Sequence, residues 1–255
     1  MAEKTVTAKG TVLAAQLALG AVVVLGWEFG GADEFFFSKP SDVAGRIVEW
    51  FTSGSIWAHL GITLTEAALA LVIGTAGGLV AGFALARFRF LGAVFDPFIK
   101  VLNAVPRVVL APIFLLWFGL GVWSKVAFGV TLVFFLVFFN TYQGVREVEQ
   151  VLVDNARMLG ATESQLAWHV LLPSALGWIF ASLHVSVGFA IVGAVVGEYL
   201  GSSAGIGYLI SQAEGTFDTT GVFAGMVVLA TVVLLVDFAV GLLERNLLRW
   251  KPEAP

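Results

Sequence analysis

Polar side chains that interrupt apolar runs are the residues of this sequence best placed to act on a small molecule. They are Asn103, Arg107, Asn140, His184 and Glu198. Such a group is costly inside an apolar run unless it bonds to another group or lines an aqueous path, so we predict that these side chains line a path for a solute. An arginine that reaches the membrane surface is an equal alternative for Arg107, and a backbone bond is an alternative for His184. We expect Glu198 to lie close to an outer gate.

Residue patterns for covalent, metal or nucleotide chemistry are absent from the sequence. It has no cysteine, no Gly-x-x-x-x-Gly-Lys-Ser/Thr stretch, no His-Glu-x-x-His and no serine-elbow motif. No basic tract with interleaved aromatic residues indicates nucleic acid. We therefore predict that the chain is not an enzyme and holds no metal or cofactor of its own. If ATP drives it, another polypeptide binds the ATP.

Long apolar segments must position the polar side chains. Of the 255 residues, 58% are hydrophobic and 13% are charged, whereas soluble domains are about one quarter charged. Runs of about 20 apolar residues are typical of membrane helices. We predict an all-α, polytopic membrane protein with six spans, near residues 11–29, 63–86, 100–118, 126–143, 177–200 and 221–243.

The placement of Lys and Arg orients these spans. On one side a six-span topology leaves only Lys39, Arg46 and Lys125. Because basic residues favour the cytoplasmic side, we expect residues 1–10 and the C-terminus to lie in the cytoplasm. The basic residues of the inner side are Lys4, Lys9, Arg87, Arg89, Lys100, Arg146, Arg157, Arg245, Arg249 and Lys251.

Glycine and proline shape two of the spans. Gly74, Gly78 and Gly82 follow one another at four-residue steps, and this spacing predicts a ridge that another helix can approach closely. Pro106 and Pro112 interrupt the backbone hydrogen bonds of the third span, which predicts irregular backbone there.

Several residues are predicted to lie at the outer membrane surface. Glu66, one turn inside the second span, is expected to reach the interface, and residues 117–125 to form a short outer turn. Residues 41 and 42, Ser-Asp, are expected to cap an amphipathic helix that lies on this surface. Its apolar face would consist of Val43, Ile47, Val48 and Phe51.

Residues 154–173 form the longest polar interruption in the second half of the chain. We expect a helix from Asp154, a left-handed turn at Gly160, and a second helix capped by Thr162 that runs to Val170, before Pro173. Two short helices folded back on each other between spans form a compact knob. Such a knob suits docking to a partner better than chemistry.

The spacing within this stretch resembles the Glu-Ala-Ala loop of binding-protein-dependent ABC importer permeases. The pattern is Asp-Asn-Ala, three residues, Gly160, nine residues, Val170, one residue, then Leu-Pro; the family usually has Glu-Ala-Ala and Ile. The resemblance implies the type I ABC importer permease fold. It also implies that residues 146–175 hold a coupling helix that sits in a cleft of the ATP-hydrolysing subunit. The residues expected to act in coupling are Asp154, Asn155, Ala156, Leu159, Gly160, Ala161, Leu172 and Pro173.

Residues 103–121 carry a second resemblance. Asn-Ala-Val-Pro-Arg-Val-Val-Leu-Ala-Pro followed by Leu-Trp-Phe-Gly-Leu-Gly is similar to a signature of the nitrate, sulfonate and taurine branch of these permeases. The resemblance implies that the solute is a small anion. Related permeases also carry neutral heteroaromatic molecules such as pyrimidine precursors or riboflavin, so this alternative stays open.

The resemblance also implies the partners of the chain. These are two copies of an ABC ATPase subunit that binds ATP and Mg, a second copy of this permease, an external solute-binding protein and the lipid bilayer of a prokaryotic inner membrane. The rival interpretation is a secondary carrier that works alone. Such carriers often show internal inverted repeats, and no convincing repeat is present here.

Overall fold

The computed structural model describes residues 2–30 and 35–247, and their side chains except at residues 2–10, 89 and 243–247. Every regular element in these ranges is a helix, which confirms the all-α prediction. A membrane offers no water to backbone groups, so each apolar segment satisfies its hydrogen bonds within itself. In chain order the helices are α1 (Ala2–Phe29), α2 (Pro40–Thr52), α3 (Ser55–Arg87), α4 (Arg89–Ala104), α5 (Leu110–Phe118), α6 (Val122–Arg146), α7 (Gln150–Met158), α8 (Glu163–Leu166), α9 (Leu172–Leu200), α10 (Ile206–Gly215) and α11 (Thr219–Leu247).

The described residues contain five helices that are long and apolar enough to cross a membrane. A sixth span results if α4 and the segment that follows it are counted as one, although the two arms meet at 77°. The backbone of the third span is therefore irregular at Pro106, as predicted, whereas Pro112 lies in the first turn of α5. The two arms cover residues 90–118 and not only the predicted residues 100–118. A proline has no backbone N–H and disfavours a helical conformation in the residue before it.

The fifth span also differs from its predicted bounds. The chain is helical without interruption from Glu163 to Leu200, through a π-helical turn at Ala167–Leu171. The prediction of a separate second helix that ends before Pro173 is therefore wrong. Pro173 lies in the first turn of α9. Its missing N–H costs little there, because the preceding π turn changes the backbone hydrogen-bond pattern of the helix.

The centre of the fold is the packing of α3, α6 and α9 against one another, with α3 against α6 as its largest contact. The predicted glycine ridge forms this contact. A side chain at Gly78 would place its Cβ 2.8 Å from the carbonyl oxygen of Phe134, and one at Gly82 would place it 2.7 Å from that of Phe138. Removing side chains from one face of α3 thus lets two backbones meet, as is common where helices associate in membranes.

The bundle has two ends of different construction. The C-terminal ends of α3 and α6 and residues 146–175 meet at one end, which we call the knob end. Helices α2 and α10 lie at the opposite end, where Arg46 of α2 forms an ion pair of 2.6 Å with Asp218.

Helix α2 begins two or three residues earlier than predicted. Pro40 occupies its first turn after Lys39, so the pair at residues 41 and 42 is inside the helix and does not cap it. Val43 is buried, whereas Val48 and Phe51 of the predicted apolar face are exposed in the single chain.

Candidate functional site

The knob begins with α7, whose first residue is Gln150 and not Asp154. Asp154 lies in the middle of this helix, where its carboxylate accepts a hydrogen bond of 3.0 Å from the side chain of Gln150. The expectation that Asp154 starts the helix is therefore wrong. Asp154 and Asn155 both lie on the exposed face of α7.

The turn that follows α7 has the predicted conformation. Gly160 has φ of +84°, the left-handed region that ends helices, and its N–H donates to the carbonyl of Arg157 at 2.9 Å. Thr162 then caps α8 as expected: its hydroxyl accepts from the N–H of Gln165, and the Gln165 side chain accepts from the N–H of Thr162 at 2.8 Å. Capping at both sides of the turn gives the knob a defined shape.

The knob is attached to the spans by charge and by apolar packing. The side chain of Glu163 forms ion pairs with Arg87, at the end of α3, and with Arg157 of α7. Beneath them lies an apolar cluster that joins the knob to α6 and α9. Its buried members are Val145, Val153, Leu166, Leu171, Ala175 and Ile179. Movement of the knob must therefore move the spans to which it is clamped.

The structure divides the expected coupling residues into two groups. Leu159 and Gly160 lie at the tip of the knob, and the Leu159 side chain is 89% exposed in the single chain. Ala156 and Leu172 instead pack against the apolar cluster beneath the knob. Among the expected coupling residues, those at the tip and on the exposed face of α7 are open to solvent in the single chain, whereas Ala156 and Leu172 are partly buried.

The broken third span brings together two of the expected pathway residues. Arg107 lies in a 3-10 turn (Arg107–Val109) just after the bend, and its guanidinium donates to the side-chain oxygen of Asn103. The guanidinium also lies 5.0 Å from the centre of the Phe135 ring, a cation–π contact to α6. Lys100, one turn earlier on α4, pairs with Asp96 at 2.6 Å.

Asn140 and His184 have partners that the sequence did not show. The amide of Asn140 donates to the carbonyl of Leu136 in its own helix at 2.9 Å. Asn140 also lines a 400 Å³ cavity with Gln143 and Trp178. His184 of α9 lies 3.1 Å from the Asp237 carboxylate of α11.

Glu198 is buried at the end opposite the knob, together with two residues that were expected at the surface. Glu66 and Lys125 are each 1% exposed, so neither side chain reaches solvent. Lys125 lies in the first turn of α6 and not in the connection before it, which is shorter than the predicted turn at residues 117–125. A sequence signal was present for Glu66, since it lies eight residues before Gly74 and thus on the face of α3 that packs against α6.

The fold and the knob define a polytopic membrane permease of the ABC importer type. Residues 73–249 match the family described as the binding-protein-dependent transport system inner membrane component, and the chain belongs to that family. It is thus a multi-pass permease of the inner membrane, the non-catalytic membrane subunit of a binding-protein-dependent ABC importer.

Two relatives and a solved structure agree with this assignment. The chain is 35% identical to the putative aliphatic sulfonates transport permease protein SsuC of Bacillus subtilis (strain 168), over 92% of this chain and 87% of that protein. It is 34% identical to the riboflavin transport system permease protein RibX of Chloroflexus aurantiacus, over 88% and 85%. Its fold is similar to a chain of the MetNI methionine ABC transporter in an inward-facing conformation, with a TM-score of 0.60, 19% identity and coverage of 77% and 96%.

Proposed function

We propose that two copies of this chain form the translocation pathway of the importer, and that each knob docks into one of two ATPase subunits. The observation that carries this proposal is the knob itself: an exposed apolar tip at Leu159 on a capped turn that is clamped to α3 and α9. ATP and Mg belong to the partner subunit. Closure of the ATPase pair would bring the two knobs together and rock the attached spans.

The proposed orientation places the knob end in the cytoplasm. Among the described side chains, Arg87, Arg146 and Arg157 lie at this end, and basic residues favour the cytoplasmic side. Both termini would then be cytoplasmic. Of the other basic residues used to predict the inner side, Lys100 lies on α4, where it pairs with Asp96. Lys4, Lys9, Arg89, Arg245, Arg249 and Lys251 lie outside the described side chains.

The proposed solute is a small anion of the nitrate, sulfonate or taurine type. Two observations support an anion: the similarity to an aliphatic sulfonates permease, and the guanidinium of Arg107 at the bend of the third span. A flat heteroaromatic solute is the second candidate. It is favoured by the similarity to a riboflavin permease and by the aromatic ring of Phe135 beneath the guanidinium. In either case the external binding protein would select the solute before it reaches the permease.

Family membership sets aside the stand-alone secondary carrier. The first test is purification of the tagged chain from its native membrane in mild detergent, with mass spectrometry of the proteins that accompany it. An ATPase subunit in equal amount is the expected result. If the chain is recovered alone under conditions that preserve other transporter complexes, the docking role of the knob is wrong.

A second test uses two matched glycines. Gly160 at the knob and Gly54 at the opposite end have φ of +84° and +80°, and no atom lies within 4 Å of the Cβ position of either. Gly160→Trp and Gly54→Trp therefore introduce the same side chain with similar backbone strain. Gly160→Trp is expected to abolish solute uptake and ATPase capture while the protein remains inserted, and Gly54→Trp to retain both. Equal losses in the two variants would show that strain, and not the docking surface, is responsible.

A further inference from the structure

A buried polar cluster lies at the end opposite the knob and has no part in the proposed docking. It consists of Thr63 and Glu66 of α3, Lys125 of α6 and Glu198 of α9, each only 1% exposed. Two carboxyls and an ammonium group have thus been removed from solvent at the point where three spans end. Burying such groups is expensive, and apolar residues of similar size often give equal or greater stability. The cluster therefore calls for an explanation other than stability.

Glu198 binds the turn that follows its own helix. Its carboxylate accepts hydrogen bonds from the Thr63 hydroxyl at 2.6 Å and from the backbone N–H of Gly207 at 2.7 Å. Thr63 in turn accepts from the N–H of Ile206 at 2.9 Å. The first N–H groups of α10 would otherwise lack partners, so two buried side chains of the cluster hold the start of this helix in place.

Gly205 shows how closely this turn fits the carboxylate. Its φ is +112°, and a Cβ at this position would collide with the Glu198 carboxyl. Glycine is the residue that adopts a positive φ without strain and has no Cβ to collide with the carboxyl. The turn at residues 201–207 is therefore shaped around the acid.

Lys125 binds a second turn in the same way. Its ammonium donates to the carbonyl oxygens of Leu120 and Gly121, in the connection between α5 and α6. The two turns also touch, because a Cβ at Gly201 would lie 3.0 Å from the Leu120 side chain. Helix α5 is the second arm of the broken third span, so Lys125 holds the end of the arm that begins near Arg107.

The cluster retains an acceptor for a second arrangement. Among the described residues, the Oε2 atom of Glu66 is buried and has no hydrogen-bond partner. Lys125 is close enough to Glu66 and Glu198 to interact with both electrostatically, although its hydrogen bonds go to the turn. If the turn moves away, the ammonium still has a carboxylate to bind. An element with two satisfied arrangements is what a conformational change requires.

We propose that the buried polar cluster positions the turns at residues 119–121 and 201–207, and thereby holds α5 in the arrangement that closes the pathway on the side opposite the knob. Lys125 and Glu198 are positioning residues in this proposal. It rests on the proposed function, because it takes the broken third span to line the pathway.

The test uses the absence of cysteine from the chain. A single reporter, Ala111→Cys, is placed at a position of α5 that is 2% exposed and packed against α6, so that it becomes accessible only if α5 moves. The whole transporter, with its ATPase and binding protein, is reconstituted in nanodiscs. The labelling rate with a membrane-impermeant maleimide is measured without ATP. Adding Lys125→Met, which keeps the length of the side chain, is expected to raise this rate about tenfold or more, since losing a hydrogen bond made by a charged group shifts a local equilibrium by about that factor.

Two further variants separate positioning from stability. Lys100→Met is the matched control, since Lys100 pairs with Asp96 on the exposed surface of α4; its labelling rate should equal that of the reporter alone. A triple variant, Lys125→Met with Glu66→Gln and Glu198→Gln, removes every charge of the cluster. It should regain thermal stability relative to Lys125→Met and still label rapidly, because the turn has lost its ammonium.

If the triple variant is labelled no faster than the reporter without these substitutions, the proposal is overturned. This outcome does not depend on whether Lys125→Met inserts. The proposed function would fail on another readout, which is capture of the ATPase subunit by the knob. The two failures are therefore distinguishable.

Discussion

The knob and the buried polar cluster lie at opposite ends of the same spans. The knob exposes apolar side chains, whereas the cluster buries charged ones. The knob leaves Leu159 and Met158 in solvent, and its ion pairs are partly exposed. The cluster removes Glu66, Lys125 and Glu198 from solvent and satisfies two of them with backbone groups of neighbouring turns.

This difference indicates where each end finds its partner. Exposed apolar side chains on a rigid turn have no partner within the chain, so binding another protein that covers them is favourable. Buried charges already have their partners within the chain, and they are sensitive to any rearrangement of it. The knob therefore has the character of the docking surface that we propose, and the cluster has the character of the proposed positioning element within the permease.

The largest effect is expected from breaking the cluster. Glu198→Ala removes the acceptor of the buried Gly207 N–H and one of the two acceptors near the Thr63 hydroxyl, and leaves Lys125 without the charge of Glu198. It should lower the free energy of unfolding by about 3–5 kcal/mol, the usual loss on breaking a buried charged network. Thermal unfolding of the purified protein in detergent measures this. Glu49→Ala is the control, because the Glu49 side chain is 71% exposed. Similar melting temperatures for the two variants would contradict the structural role of Glu198.

A smaller effect, on association alone, is expected at the knob. Leu159→Asp changes an exposed side chain, so the melting temperature should stay the same. Affinity for the ATPase subunit should fall about tenfold or more, since a fully buried leucine contributes about 1.5–3 kcal/mol. Binding of purified ATPase subunit to the permease in detergent measures the change. A lower melting temperature with unchanged affinity would reverse the comparison between the two ends.

The smallest effect is expected from the clamp between Arg87 and Glu163. This pair is partly exposed, so reversing the charge of either residue should cost about 1 kcal/mol or less and reduce transport only a few-fold. The double exchange, Arg87→Glu with Glu163→Arg, should recover most of the transport rate. No recovery would indicate that the pair acts through contacts other than its charge.

Much of the architecture follows from local patterns in the sequence. Apolar runs predicted the spans, the glycine ridge predicted the α3–α6 contact, and Gly160 with Thr162 predicted the shape of the knob turn. In each case the physical cause lies within a few neighbouring residues. The causes are the backbone hydrogen bonds that a membrane helix makes within itself, a missing Cβ, a positive φ and a helix cap. The substrate is not determined in this way, since similar sequences are named for sulfonates and for riboflavin.

Other features were decided by tertiary structure. Glu66, Lys125 and Glu198 are separated by more than fifty residues along the chain, and each lies near the end of a span, where local sequence favours an interfacial position. They meet because α3, α6 and α9 pack with one particular rotation, which depends on all the side chains along their faces. His184 and Asp237 are likewise distant in sequence and meet because α9 packs against α11. Local sequence determined which segments are helices and where they turn; long-range packing decided which charges are buried together.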